Sequence, residues 1–247
     1  MARRKDYYST QAASYAAHRP GYPAPLFDYL AAAAPGRRLA WDCGCGSGQA
    51  SLALAERYAA VVATDLSSSE IARAERRPNL CYAVARADAG PLADATVDLI
   101  TVAQALHWFA GDGFFREARR VLRRGGVVAA WTYNLLTIMP PVDALVRALY
   151  RDLQRWWPAE QRHVENGYAS LPFPFEPLPS PAFSMTSRWS FDYLLGYLGS
   201  WSAVAACGRE TGRNPLARVA DELAVAWGNP AAPREVRWLL TLRVGRV

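Results

Sequence analysis

Lysine is almost missing from this chain: of 28 basic residues only Lys5 is a lysine, and the rest are arginine. Together with abundant alanine, this skew reads as codon bias, which weakens the nucleic-acid reading invited by a net charge of +6. The charge is also spread out, with 16 basic and 12 acidic residues over 1–130 and 12 and 10 over the remainder. The basic runs Arg73–Arg77 and Arg116–Arg124 have helical spacing and read as solvated faces, so no nucleic-acid partner is expected. No run of about 18 apolar residues occurs, so no membrane span or membrane partner is expected. The start, MARRKDYYST, has no apolar core behind its basic residues and does not read as a secretory signal. Cysteine is scarce: Cys43, Cys45, Cys81 and Cys207, with only a C-x-C pair close together. That spacing fits neither a zinc nor a thioredoxin site, so reduced thiols in a cytoplasmic protein and no metal are expected. A length of 247 residues allows one large domain carrying a lid or a small second lobe.

Apolar runs and turn signals give the order of elements. Residues 6–17 and 24–33 read as helices separated by a turn rich in proline and glycine. Strands are expected at 38–43, 60–64, 80–84, 97–103 and 127–133, with helices at 47–58, 67–74 and 114–122 between them. Ser67 and Glu70 have the spacing of a capping box, and Gly125-Gly126 is expected to stop the helix before the fifth strand. Strands alternating with helices mean a parallel sheet covered on both faces. Asp42, Asp65 and Asp88 recur every 23 residues, about one strand, one helix and two turns. They should therefore stand at the carboxyl ends of three successive strands, where open α/β sheets bind ligands. After Tyr133 the pattern changes: a helix over 140–157, a proline-dense connector at 171–181, a strand at 183–189, helices at 191–206 and 215–227, and a last strand at 236–244. Residues 134–182 follow no other pattern.

The strongest local signal is Asp42-Cys43-Gly44-Cys45-Gly46-Ser47-Gly48 between a strand and a helix. Glycines there let the chain turn sharply and let a ligand touch backbone. The dinucleotide fingerprint wants its third glycine where Gln49 stands, and no G-K-[ST] follows, so neither that fingerprint nor a P-loop is present.

An acid before G-x-G-x-G resembles motif I of the class I S-adenosylmethionine-dependent methyltransferases, over roughly residues 36–134. Tyr15…Arg19-Pro20-Gly21-Tyr22-Pro23, Gln104-Ala105-Leu106-His107-Trp108-Phe109 and Gly199-x-Trp201-Ser202 near the C-terminus look like the trans-aconitate/cantharidin methyltransferase group. The resemblance implies a Rossmann-like fold with a seven-stranded, mostly parallel sheet, helices on both faces and a lid or insert after strand five. It implies an N-terminal segment (1–35) closing over the cofactor, a cofactor-binding core (36–134), an acceptor-side insert (135–182) and a C-terminal completion of the same domain (183–247). The implied cofactor is S-adenosylmethionine, held by Tyr15, Arg19, Asp42, Gly44, Gly46, Asp65, Leu66, Asp88, Ala89 and Gln104. Asp42 would help hold the methionine ammonium, Asp65 the ribose hydroxyls and Asp88 the adenine amino group; Ile71 matches an adenine-packing position or is simply core. Tyr22 and Trp108 would wall the acceptor pocket.

The expected reaction is methyl transfer to a small, possibly acidic acceptor, on a carboxylate or other oxygen. In-line displacement needs alignment and a dry pocket rather than an acid. A base is needed only for a protonated acceptor, and His107 is the best placed, either as that base or to position the acceptor. The other two readings are a protein that binds the cofactor without methylating and a methyltransferase acting on a macromolecule. The Asn/Asp-Pro-Pro-Tyr motif of amino-methylating nucleic-acid enzymes is absent, and residues 103–111 lack the clustered acids of the Mg²⁺-dependent catechol type.

Overall fold

The computed structural model of the chain describes residues 21–247, so the expected helix at 6–17 and the expected cofactor residues Tyr15 and Arg19 lie outside the described residues. Contacts divide the chain into two compact units. One comprises Gly21–Tyr133, Arg162–Phe183 and Leu240–Val247, and the other includes Asn134–Gln161 and Ser184–Leu239. These units cut across the sequence segments, since residues 162–183 group with the core.

The first unit is built on strands β1 (Leu39–Cys43), β2 (Ala60–Asp65), β3 (Leu80–Val84), β4 (Val97–Ala103) and β5 (Leu122–Thr132), which run parallel. The sheet order is β3-β2-β1-β4-β5-β8-β6, where β8 is Arg234–Arg246 and β6 is Glu176–Pro177. β8 runs antiparallel to both β5 and β6. β7 (Phe183–Trp189) also pairs with β8, so the sheet has eight strands where seven were expected. The extra one is β6, a two-residue strand in the proline-dense stretch. Prolines at 172, 174, 177, 179 and 181 lack the N–H a longer ladder needs, so pairing there is confined to Glu176–Pro177 and one further bond from Leu178 N to Val244 O.

Helices α1 (Ala24–Ala33), α2 (Gln49–Ala55), α3 (Ser68–Arg73) and α4 (Asp112–Val121) link and cover these strands. β4 is buried along six of its seven residues, as a central strand covered on both sides must be. Trp41, Cys43, Ile100, Val102, Val128 and Ala130 pack against Phe114, Phe115, Ala118 and Val121 of α4, joined by Tyr168, Leu171 and Phe175. The alternate residues of the same strands, including Asp42, Thr101 and Trp131, therefore face the opposite side. There Trp131 meets Phe27 of α1 with ring centroids 6.0 Å apart.

Several boundaries move for local reasons. α2 begins at Gln49 because Gly48 holds a left-handed φ of 88°. α4 passes directly into β5 at Leu122, whose backbone is already extended, so Gly125-Gly126 stops no helix. Instead Gly125, at φ 74°, sits where the β4–β5 register shifts. In the second unit α5 (Pro140–Asp152) ends in a 3-10 turn at Gln154–Trp156. The helix expected over 191–206 is two, α7 (Phe191–Gly199) and α8 (Ser202–Thr211), followed by α9 (Ala220–Trp227), while the short α6 (Gln161–Glu165) falls almost wholly in the first unit. The break falls at Ser200-Trp201, where Ser200 Oγ bonds back to Tyr197 O and Trp201 turns to extended backbone. This unit's core is aromatic: Trp189 stacks within 5.0 Å of Tyr193, Tyr197 and Trp238. No helix among the described residues is long and apolar enough to cross a membrane.

At the amino edge of the sheet, the fully buried Asp98 ties β1 to β4. Its Oδ2 accepts from Arg38 N (2.8 Å) and Leu39 N (3.0 Å), and its Oδ1 from Arg123 (3.0 Å). Asp98→Ala would strand two backbone donors and one guanidinium. Urea unfolding should show a loss of about 2–4 kcal/mol, against well under 1 kcal/mol for a surface carboxylate such as Asp221.

Candidate functional site

β1 delivers Asp42 and Cys43 to the carboxyl edge, and the chain then turns back within five residues. Gly44 N (2.8 Å) and Cys45 N (3.0 Å) both donate to Thr64 O at the end of β2, which pins the turn to its neighbour strand. Gly44 has a φ of 72°, and a Cβ there would lie 2.7 Å from Ala105 Cβ and 3.2 Å from the Phe109 ring. A side chain is thus excluded twice, by backbone conformation and by contact with the turn after β4. A Cβ at Gly48 would overlap the Tyr82 hydroxyl. At Gly46 the nearest group is a Glu70 carboxylate oxygen at 4.0 Å, so the backbone there lies open.

Asp42 holds this turn from beneath. Its Oδ2 accepts from Ser51 Oγ of α2 (2.5 Å) and its Oδ1 from Thr101 Oγ1 of β4 (2.9 Å), and the side chain is fully buried. Thr101 stands directly opposite Asp42 in the β1–β4 register. Burial pushes the Asp42 carboxyl up to about 6, against the pull of its two hydroxyl donors. The structure thus places Asp42 inside the wall, where the sequence led us to expect a carboxylate presented to a cofactor ammonium.

Asp65, by contrast, stands at the edge, partly buried. Oδ2 accepts from Gly46 N (2.9 Å) and Oδ1 from Ser67 N (2.8 Å). Ser67 Oγ caps α3 by accepting from Glu70 N, but Ser67 N goes to Asp65, so the reciprocal half of the expected capping box is replaced. A carboxylate has about four acceptor positions, and two are left over here. Leu66, next in sequence, is 55% exposed, and Val84, opposite Asp65 in the β2–β3 register, is 57% exposed. Two exposed apolar side chains beside an acceptor carboxylate mark a place for a partly apolar ligand. Ile71 is buried and belongs to the core.

The other expected residues are more engaged than their sequence suggests. Asp88 is exposed and makes two bonds with Arg86, at 2.7 and 2.6 Å. Such an exposed pair is worth little and does not lock the side chain away. It lies beside the start of α4, where a Cβ on Gly113 would be 3.0 Å from Asp88 Cβ. Ala89 is exposed, its N–H bonded to Arg86 O. Gln104 has a left-handed φ of 54°, and its amide joins the ends of β4 and β5 by accepting from Thr132 Oγ1 and donating to Tyr133 O (2.8 Å). Tyr22 stacks edge-on against Trp131, centroids 5.3 Å apart.

His107 and Trp108 lie in a short 3-10 turn, Leu106–Trp108, directly after β4, with ring centroids 4.7 Å apart. His107 Nδ1 is 3.0 Å from the Tyr168 hydroxyl. Burial, and to a lesser degree the charge of His163, lowers the His107 pKa to about 4, so the ring is neutral at pH 7. Tyr168 was not among the expected site residues. The visible hint was Asn166-Gly167 ahead of it, a turn signal that says nothing of where the tyrosine points.

A glycine turn without a basic side chain, two edge carboxylates and exposed apolar groups suit a ligand with a cationic, sugar and aromatic part better than a phosphate. The comparisons with known proteins agree. Residues 41–130 match the family model described as a methyltransferase domain. A candidate methyltransferase of Dictyostelium discoideum is 31% identical over 227 residues, 90% of this chain and 86% of that protein. A structure solved as that of a candidate type II methyltransferase from Anaeromyxobacter dehalogenans superposes with a TM-score of 0.87 at 51% identity, over 92% of this chain and 97% of that one. The malonyl-[acyl-carrier protein] O-methyltransferase of Dechloromonas aromatica is 38% identical over 90 residues, 36% of this chain and 34% of that protein. The chain belongs to the class I S-adenosylmethionine-dependent methyltransferases. It is an enzyme of that family, and its cofactor is S-adenosylmethionine.

Gly44→Ala should lower stability by at least about 1 kcal/mol, from the positive φ alone, and weaken cofactor binding in calorimetry. For Asp42 the folded pKa lies above the unfolded value. Its contribution is therefore most favourable below pH 4 and is lost as pH rises through about 6. In cofactor-free protein, Asp42→Asn should gain about 2 kcal/mol relative to wild type between pH 4 and pH 7, measured by denaturant unfolding at each pH.

Proposed function

We propose that the enzyme methylates an oxygen of a small acceptor, and that this oxygen belongs to a carboxylate. The observation that carries the reading is the state of His107. It is the only titratable side chain in the turn over residues 103–109, its Nδ1 is engaged by Tyr168, and its pKa lies near 4. A general base for an alcohol or phenol works best with a pKa near the operating pH. A ring near 4 holds protons too weakly for that role, whereas a carboxylate arrives already ionised and needs no base. The O-methyltransferase of Dechloromonas aromatica, named for a malonyl acceptor, supports an oxygen target at the level of a partial relative.

When bound, S-adenosylmethionine supplies a methyl group activated by its sulfonium. The chain's own residues hold and align. Gly44 and Gly46 would let backbone approach the cofactor, Asp65 would accept from its ribose hydroxyls, and Leu66 and Val84 would give an apolar seat for its adenine. Asp88 and Ala89 lie further along the same edge, where an adenine amino group can displace Arg86 from the Asp88 carboxylate. Gln104 ties the ends of β4 and β5 at this edge, its amide bonded to Thr132 and Tyr133. Tyr22 and Trp108 are the proposed acceptor-side rings. A carboxylate that accepts a methyl becomes a neutral ester, so no proton has to be moved.

Calorimetric titration with S-adenosylmethionine and S-adenosylhomocysteine should give micromolar binding that Asp65→Ala weakens at least tenfold, about 1.4 kcal/mol. A radiolabelled-methyl assay over small carboxylic acids and their matched alcohols should then give esters only. Ethers from the alcohols and no esters would overturn the carboxylate assignment.

A further inference from the structure

We propose that Tyr168 is a positioning residue that fixes His107 in the tautomer carrying hydrogen on Nε2, so that His107 presents an N–H donor to an anionic oxygen of the acceptor. The second half of this inference rests on the methyltransferase reading above; the first half stands on the pair alone.

Tyr168 is held with unusual firmness. It is completely buried and follows Gly167 in a corner of two consecutive left-handed residues, φ 61° and 66°. A tyrosine seldom adopts that region, and it persists only where the surroundings impose it. Here they do. Tyr168 N donates to His163 O (2.7 Å), and Arg243 donates to Tyr168 O and to Leu171 O (2.7 Å each). A Cβ on Gly167 would lie 2.8 Å from Thr241 Cγ2, so the corner sits hard against β8. The result of this strained corner is a phenol hydroxyl 3.0 Å from Nδ1 of His107, in the turn after β4.

The chemistry of the two groups decides which way the hydrogen bond runs. A phenol is a good donor and a poor acceptor, and a bare imidazole nitrogen is a strong acceptor. Tyr168 therefore donates to Nδ1, and the ring's own hydrogen sits on Nε2. His107 is neutral at pH 7, so it cannot bind an anion through charge, and among the described residues Nε2 has no partner. An N–H that is fixed in place and cannot take up a second proton while Tyr168 holds Nδ1 makes a charge-assisted bond to a carboxylate but cannot remove the proton of an alcohol. A bond to a carboxylate also weakens as methylation removes its charge. It therefore favours the bound acid at least as much as the transition state, and its loss should raise KM without lowering kcat.

The test begins with wild-type protein bound to S-adenosylhomocysteine. Long-range ¹H–¹⁵N spectra at pH 7.5, with His107 assigned by the loss of its signals in His107→Gln, should show hydrogen on Nε2 and an acceptor-type Nδ1. Hydrogen on Nδ1, or a doubly protonated ring, would overturn the assignment without any variant having to fold or turn over. In Tyr168→Phe the two nitrogen signals should move toward each other as the tautomers mix; an unchanged spectrum contradicts the positioning role. Titrating small mono- and dicarboxylates into the wild-type complex should shift the Nε2 signal, while matched alcohols leave it in place; a response to alcohols alone, or to neither, overturns the donor role. For the best-methylated acid, Tyr168→Phe should raise KM at least fivefold with kcat within twofold of wild type and S-adenosylhomocysteine affinity unchanged. A fall in kcat at unchanged KM contradicts it. Failure of the protein to bind S-adenosylhomocysteine at all would instead sink the methyltransferase reading, leaving the tautomer measurement on the free protein to decide the Tyr168–His107 pair.

Discussion

A carboxyl group buried between two hydroxyls holds the ligand edge of this protein together. Asp42 receives Ser51 from the helix and Thr101 from the adjacent strand, and so joins the three elements that meet beneath the glycine turn. Burying a carboxyl in this way costs free energy, which its pKa of about 6 records. What the arrangement gives in return is geometric. With β1, β4 and α2 fixed to one another, Gly44 can be driven against Ala105 and Gly46 left open. Asp65 then closes the turn from the side by accepting from Gly46 N. A cofactor laid on such an edge meets backbone and acceptors already in position, which lowers the ordering cost of binding.

The same logic recurs at the next turn along the sheet. Gln104, at a left-handed φ, ties the ends of β4 and β5, and the 3-10 turn that follows carries His107 and Trp108. Tyr168 reaches that turn from a distant segment, anchored by Arg243 of β8. The two strained places, Gln104 and Gly167-Tyr168, thus converge on one histidine. Its burial makes it a poor base, and the tautomer proposed for it would make it a fixed donor, which supports the positioning role over proton abstraction.

The repeat of strand, glycine turn and helix was legible because periodicity and turn chemistry are local: Asp42, Gly44 and Asp65 can be placed from neighbours within a few residues. The places of the first five strands along the chain followed from the same signals. What was not legible depends on contacts far apart in sequence. Nothing near Asp42 says that Thr101 would take one of its oxygens, 59 residues on. Nothing near Asn166-Gly167 says that the following tyrosine would meet His107, 61 residues earlier. The helix expected over 191–206 misled for a different reason. Its apolar spacing continues through Ser200-Trp201, and only the buried bond from Ser200 Oγ to Tyr197 O reveals the break. Likewise the proline-dense stretch hides a strand of two residues, too short to leave a periodic signal.

The most direct test of this account is a crystal structure of the enzyme with S-adenosylhomocysteine. The account requires the Asp65 carboxylate against the ribose hydroxyls, Leu66 and Val84 on the adenine, the amino acid end over Gly44 and Gly46, and Asp42 still bonded to Ser51 and Thr101. A ligand bound away from the carboxyl ends of β1 and β2, or an Asp65 that touches only Gly46 and Ser67 in the complex, would contradict it.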